Sequence, residues 1–304
     1  MHLGVEFLYM CKLGGFNLKK FTFVILLITL VMFIGLNYFN RPSIENNVYS
    51  PEDKRDIYLN IMTCNIAQYK MVKLIVGDKH NVAYMFNNES DMQKYQVSVD
   101  TVNNVSNMDL FFYSGQDYEP WGSSLIEKID KSRAGIIDVS RGIRAIAMDS
   151  KTNTNNPYYW LSPEEYKIAL YNVKSAIEDK DIQNKDYYEQ NYEKAVKDID
   201  DTVKTYDDSI KNVKKYTFIA IDNDLDYFFR KISVTPIYAN NQPLDKIIAD
   251  NKLDKTKVIV IKDSKTQFTA DGYTMISLDS FNSGMSFEQL INNNYKIFTD
   301  SIKK

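Results

Sequence analysis

The chain has 304 residues, 44% of them apolar and 13% aromatic, enough to bury a sizeable core in one or two domains and to exclude a disordered chain. A net charge of −3 excludes nucleic acid as the main partner, since a phosphate-binding surface needs clustered Lys and Arg. With two His and two Cys in all, the chain is poor in zinc ligands, and Cys11 and Cys64 stand on opposite sides of an apolar segment, which argues against a disulfide between them.

That segment, Phe21 to Phe39 (FTFVILLITLVMFIGLNYF), has 19 residues and no charge, about the length of a bilayer-crossing helix. Lys12, Lys19 and Lys20 precede it and only Arg41 follows closely. The positive-inside rule therefore places residues 1–20 in the cytoplasm and the body outside, as a single-pass protein of the cell membrane. A cleaved signal peptide is the competing reading. It would have a shorter apolar region followed by small residues, whereas Leu36, Asn37, Tyr38 and Phe39 are not small, and no cysteine follows the run to carry a lipid. Without Lys12, Lys19, Lys20, Arg41 and Glu6 the net charge moves from −3 to −6, a surface that suits an extracytoplasmic body and does not repel cations.

Residues 40–55 are polar, with two prolines, and read as a linker. From residue 56 strands and helices alternate. Ile57–Cys64, Asn81–Phe86, Leu110–Tyr113 and Gly135–Val139 have strand composition. Ile66–Val76 carries apolar residues at helical spacing and stops at Gly77; Ser98–Asn107 and Ser123–Lys131 also read as helices. Such alternation predicts a mainly parallel sheet covered by helices, with ligands bound beyond the carboxyl ends of its strands. Ser162, Pro163 and Glu165 have the pattern of a capping box, so PYYW (157–160) is the loop that delivers the chain into a helix over Pro163–Asp179.

Over 185–214 the apolar positions Tyr188, Tyr192, Val196, Ile199, Val203, Tyr206, Ile210 and Val213 recur every three or four residues, without Gly or Pro. This predicts one long amphipathic helix, either a coiled-coil seam or a helix laid across two lobes. Tyr216–Ile221, Lys257–Ile261 and Thr274–Leu278 are strands and Phe287–Ile302 a terminal helix. The expected organisation is thus an N-terminal lobe over 56–184, the long helix, and a reduced α/β lobe over 215–304.

Five pieces of the chain, IVGDKHNV (75–82), MDLFFYSGQDYEPW (108–121), IIDVSRGI (136–143), YWLSPEEY (159–166) and DYYEQNYEKAVKDID (186–200), resemble the zinc and manganese substrate-binding proteins of ABC transporters, in that family's order. The resemblance implies an α/β fold of two lobes bridged by one long helix, metal bound in the cleft as cargo, and a permease in the membrane as partner for a monomeric receptor. It also implies four ligand positions. Gln93 and Tyr158 stand where the family has His, Asp222 where it has His or Glu, and Asp279 at its Asp. The ion, divalent or trivalent or none, is left open.

An oxygen site of Tyr158, Asp222 and Asp279, helped by Gln93, suits a hard cation such as calcium, manganese or ferric iron rather than zinc. Against it stand plainer readings: a surface hydrogen-bonder at Gln93, tyrosines filling the vacated space, a solvated turn at Asp222, Asp224 and Asp226. His80 reads as structural rather than as a ligand, and Trp121, Trp160 and Glu119 as packing. A cleft lined by Tyr95, Tyr158, Tyr159 and Trp160 that takes an organic ligand or a metal chelate is a further possibility. So is a receptor fold that has lost its metal and serves as an envelope interaction protein. No nucleophile motif, phosphate loop or catalytic His pair points to an enzyme.

Overall fold

The computed structural model describes Phe23, residues 25–29, 57–115, 117–149 and 154–302. Most of the predicted anchor 21–39, and all of the linker 40–55, lie outside the described residues; residues 25–29 are helical and exposed. Among the described residues no helix is long and apolar enough to cross a membrane. The chain divides after Asp56, and everything that follows belongs to the compact unit Ile57–Lys304.

Four strands, β1 (Asn60–Asn65), β2 (Asn81–Phe86), β3 (Leu110–Tyr113) and β4 (Gly135–Asp138), form a parallel sheet in the order β2-β1-β3-β4. The helices between them are α1 (Ile66–Val76), α2 (Glu89–Gln93), α3 (Val99–Ser106) and α4 (Gly122–Lys128). Helix α1 starts with a reciprocal capping box, in which the Asn65 side chain accepts from Gln68 N–H and the Gln68 side chain accepts from Asn65 N–H. It ends at Gly77, whose φ of 56° suits glycine, and where a Cβ would stand 2.5 Å from the Tyr187 hydroxyl. A short antiparallel pair, β5 (Ala147–Asp149) and β6 (Thr154–Asn155), precedes the PYYW loop.

After α5 (Pro163–Lys180) comes the long helix α6, Lys185–Ile210, 26 residues or about 39 Å. The predicted helix over 185–214 loses its last turn to a 3-10 segment, Lys211–Lys215. α6 packs on α1 and α5 of the first lobe and on α9 (Phe287–Ser301) of the second. Its apolar stripe, Tyr188, Ala195, Ile199 and Val203, is buried inside the chain, so it bridges the lobes and leaves no seam for a coiled coil.

The second lobe is another parallel sheet, β7 (Thr217–Ala220), β8 (Ile237–Tyr238), β9 (Val258–Asp263) and β10 (Thr274–Leu278), ordered β10-β9-β7-β8. Between its strands run α7 (Asp226–Lys231) and α8 (Leu244–Asn251). It has as many strands as the first lobe; what is short is these two helices. One apolar core runs from Ile61, Val72 and Ile75 through Tyr188 and Ile199 on α6 to Phe218, Ile259 and Phe298. Smaller clusters, around Phe111, Trp121 and Leu125 and around Ile219, Val258 and Val260, complete the two lobes.

The capping box expected at Ser162 does not form. Ser162 makes no side-chain bond to the helix backbone, and its hydroxyl donates to Glu164 instead. Glu165, expected to reach back, is buried and accepts from Arg144 and from Arg230 (2.7 Å). Two guanidinium groups distant in sequence outcompete one backbone N–H for this carboxylate, because charge-assisted bonds are the stronger kind.

Candidate cargo-binding cleft

The PYYW loop sits where the lobes meet. Trp160 donates from its indole N–H to the Ser280 carbonyl of the second lobe (2.9 Å) and packs edge-on against Tyr158, Tyr159 and Phe281. Tyr159 is fully buried and its hydroxyl pairs with Ser114 Oγ at 3.2 Å. Behind it, Glu119 is buried and accepts from Ser114 N–H (2.9 Å) and Gln68 Nε2 (3.3 Å). Burial pushes the Glu119 carboxyl up to about 8, so it is mostly neutral at pH 7. The packing roles expected of Glu119, Trp121 and Trp160 hold: Trp121 is buried against Phe86 and Tyr95 and donates to Met92 O at 2.8 Å.

His80 is structural too. Its ring is buried, with Nε2 2.7 Å from the Tyr188 hydroxyl, which donates in turn to Asp181 Oδ2 (2.5 Å). The backbone N–H of Leu59 approaches Nδ1 at 3.4 Å. Burial holds this imidazole below its ordinary value even beside the Asp181 carboxylate.

The four predicted ligand positions are placed as follows. Gln93 ends α2, exposed, with Nε2 3.5 Å from the Tyr118 carbonyl. Tyr158 is buried edge-on to Trp160, and the Lys265 ammonium stands 5.3 Å from its ring centre. Asp222, just after β7, accepts through Oδ2 from Asp263 N–H (2.9 Å) and Thr266 Oγ1 (2.7 Å), while its buried Oδ1 has no hydrogen-bond partner. Asp279, just after β10, is clasped through its backbone by both ends of the Asn294 amide (3.0 and 2.8 Å), and its Oδ2 is 3.4 Å from Asn282 Nδ2. Gln93, Asp222 and Asp279 are thus held by separate partners. Among the described residues no group of three or more His, Cys, Asp or Glu is placed to hold a metal ion.

Two residues outside the predicted set shape this region. Asp263 ends β9 and is fully buried; it accepts from Lys265 N–H (2.7 Å) through one oxygen and from Ser280 N–H (2.7 Å) through the other. It thereby fixes both the loop that carries Lys265 and the carbonyl that receives Trp160. Lys265 itself donates to Ser280 Oγ (3.2 Å), and no carboxylate lies within ion-pair distance of it among the described residues. A lone lysine in a loop carries no spacing signal, which is why sequence reasoning passes over it. The acidic turn is also not simply solvated: Asp226 accepts from the Tyr238 hydroxyl (2.5 Å), and burial, with the Asp222 charge nearby, pushes its carboxyl up to about 6.

A cavity of about 430 Å³ lies at this junction. Asn65, Ile66, Phe86 and Asn87 of the first lobe, Tyr158 and Trp160 of the loop, and Lys265, Phe281 and Ser283 of the second lobe line it. Tyr95 and Tyr159, also expected there, are not among these lining residues; Tyr95 packs on Phe86 and Trp121. Beside the cavity Lys70 crosses between the lobes, donating to the Ser283 (2.7 Å) and Met285 (2.6 Å) carbonyls.

Two four-stranded parallel lobes, a single bridging helix and a cleft between them define a solute receptor of the helix-bridged kind. Residues 61–273 match the family described as zinc-uptake complex component A, periplasmic, and the chain belongs to that family, the substrate-binding proteins of metal ABC transporters. It is 22% identical to the high-affinity zinc uptake system protein ZnuA of Bacillus subtilis, over 72% of this chain and 75% of that one. To the metal ABC transporter substrate-binding lipoprotein ScbA of Streptococcus cristatus it is 25% identical, over 94% and 91%. In fold it matches the zinc-bound ZnuA-like domain of AdcA from Streptococcus pneumoniae with a TM-score of 0.67 at 16% identity, covering 82% of this chain and all of that domain.

Proposed function

We propose that this chain is the extracytoplasmic solute-binding component of an ABC importer, held at the membrane by the 21–39 segment and delivering cargo as a monomer to a permease. We infer further that its cleft does not grip a bare ion as its relatives' names imply for them. The observation that carries this is Lys265, whose ammonium faces Tyr158, the position matched to a family histidine. A dication there would meet a tethered positive charge at roughly 5 Å, a repulsion on the order of a few kcal/mol after solvent screening. An open cavity lined from both lobes supports the receptor reading over that of an interaction protein with a tyrosine-filled cleft.

One observation favours a second reading, a hard-cation site of Tyr158, Asp222, Asp279 and Gln93: the buried Oδ1 of Asp222 lacks a hydrogen-bond partner, as a ligand atom without its ion would. Elemental analysis of the purified protein, followed by calorimetric titration with Zn, Mn, Fe(III) and Ca, separates the two. No stoichiometric ion is expected. Stoichiometric binding that Asp279→Ala and Tyr158→Ala both abolish would overturn the first reading and establish the second.

A further inference from the structure

We propose that the cavity between the lobes binds a small organic anion with a planar apolar body, and that Lys265 is the residue that recognises its charge. The inference rests on the receptor reading above and names the class of cargo. The cavity's volume of about 430 Å³ falls within the range of small-molecule sites. Its walls are chemically one-sided. Among the described lining residues there is no Asp, Glu, His or Cys, so nothing there would bind a bare metal ion strongly or neutralise an incoming anion. Among the described lining residues the single formal charge is the Lys265 ammonium.

That ammonium is poised rather than satisfied. Its contacts are the Ser280 hydroxyl at 3.2 Å and the Tyr158 ring, 5.3 Å to the centre. Neither carries charge, so one side of a three-donor group is left for an anionic oxygen. The loop presenting it is not loose, since buried Asp263 holds the Lys265 backbone N–H at 2.7 Å. Phe86, Trp160 and Phe281 supply flat apolar walls. The Trp160 ring is fixed by its bond to Ser280 and by edge-on contacts at 5.7 Å to Tyr158 and 5.8 Å to Phe281. Asn87, exposed at the end of β2, adds an amide for a second polar atom of the ligand. Apolar walls plus a few convergent polar groups are what orient an organic ligand, and the walls here suit a ring better than a hydrated ion.

The test is calorimetric titration of the full chain with benzoate and 2-naphthoate, each beside its neutral amide, benzamide and 2-naphthamide. At least one carboxylate should bind tenfold or more tightly than its amide. Lys265→Ala should reduce that preference to less than threefold, and Lys265→Arg should keep it. Lys265 is on the exposed rim of the cavity, so neither variant should unfold the protein; melting temperatures of the three proteins check this. Equal affinity for acid and amide in the unmodified chain, a preference that survives Lys265→Ala, or no binding of any of the four overturns the proposal. The metal titration is run on the same preparation. Stoichiometric ion binding there defeats the reading that the cleft takes no bare ion, on which this inference rests, whereas absent ion binding with no carboxylate preference defeats this inference alone.

Discussion

The frame behind the cleft and the face of the cleft are built by opposite rules. In the frame, Gln68 of α1, Ser114 and Glu119 of the β3–α4 loop and Tyr159 of the PYYW loop form one buried polar cluster, with both Glu119 oxygens hydrogen-bonded. His80, Tyr188 and Asp181 tie the α1–β2 turn, α6 and the α5–α6 turn together in the same way. On the face, Gln93 and Lys265 are exposed, and among the described residues no carboxylate pairs with Lys265. A buried polar group is costly to change because its partners are left unsatisfied, whereas a group facing open space can be exchanged cheaply. The lobes are joined by α6, by Trp160 on Ser280 and by Lys70 on the 283–285 backbone, so no ion is needed to hold them. Exchanges at exposed face residues can thus leave the receptor frame intact.

The largest expected effect comes from the residue that belongs to both regions. Trp160→Ala removes a buried indole and its bond to the second lobe, and should cost about 3–5 kcal/mol in urea unfolding. A loss below about 1 kcal/mol would mean that the cleft wall is no part of the frame, and the comparison would fail.

Glu119 sharpens it next. Its folded value of about 8 is above the ordinary 4.5, so the folded state keeps a proton that the unfolded chain releases. The stability it contributes is fully present below pH 4.5 and is lost as pH rises towards 8. Glu119→Gln cannot titrate. Its amide must also set an N–H against one of the two donors, Ser114 N–H or Gln68 Nε2, which adds a pH-independent penalty. The readout is therefore the slope: between pH 5 and 8 the variant should gain about 2 kcal/mol or more relative to the unmodified protein. Parallel pH profiles would show that Glu119 is already ionised in the fold.

Local signals made much of the frame readable in advance. The strands Asn81–Phe86, Leu110–Tyr113 and Thr274–Leu278 and the helix Ile66–Val76 fall where composition and spacing place them; the stripe along α6 predicted the long helix, and the family resemblance implied that it bridges the lobes. What escaped was decided by distant partners. Glu165 left its expected cap because Arg144 and Arg230, 21 and 65 residues away, converge on it. β8 has two residues, too few for a period. At the cleft, likeness to a family pattern suggested four ligand positions but could not show that Lys265, 107 residues beyond Tyr158, folds over its ring.

The smallest effect should come from Asp279, and it probes the rule most directly. The position is held from behind, since the Asn294 side chain, itself buried, both donates to and accepts from the Asp279 backbone. The carboxylate on the same residue has only a long contact to Asn282, 3.4 Å. Asn294→Ala should then cost about 1–3 kcal/mol, because two half-buried backbone groups lose their partner, while Asp279→Ala should cost less than about 1 kcal/mol. Urea unfolding of both variants, in buffer treated with chelator and again with added manganese, measures the difference. A reversed order, or an Asp279→Ala penalty that appears only with manganese, would place Asp279 with the ligands of a bound ion and remove the distinction between frame and face at this strand end.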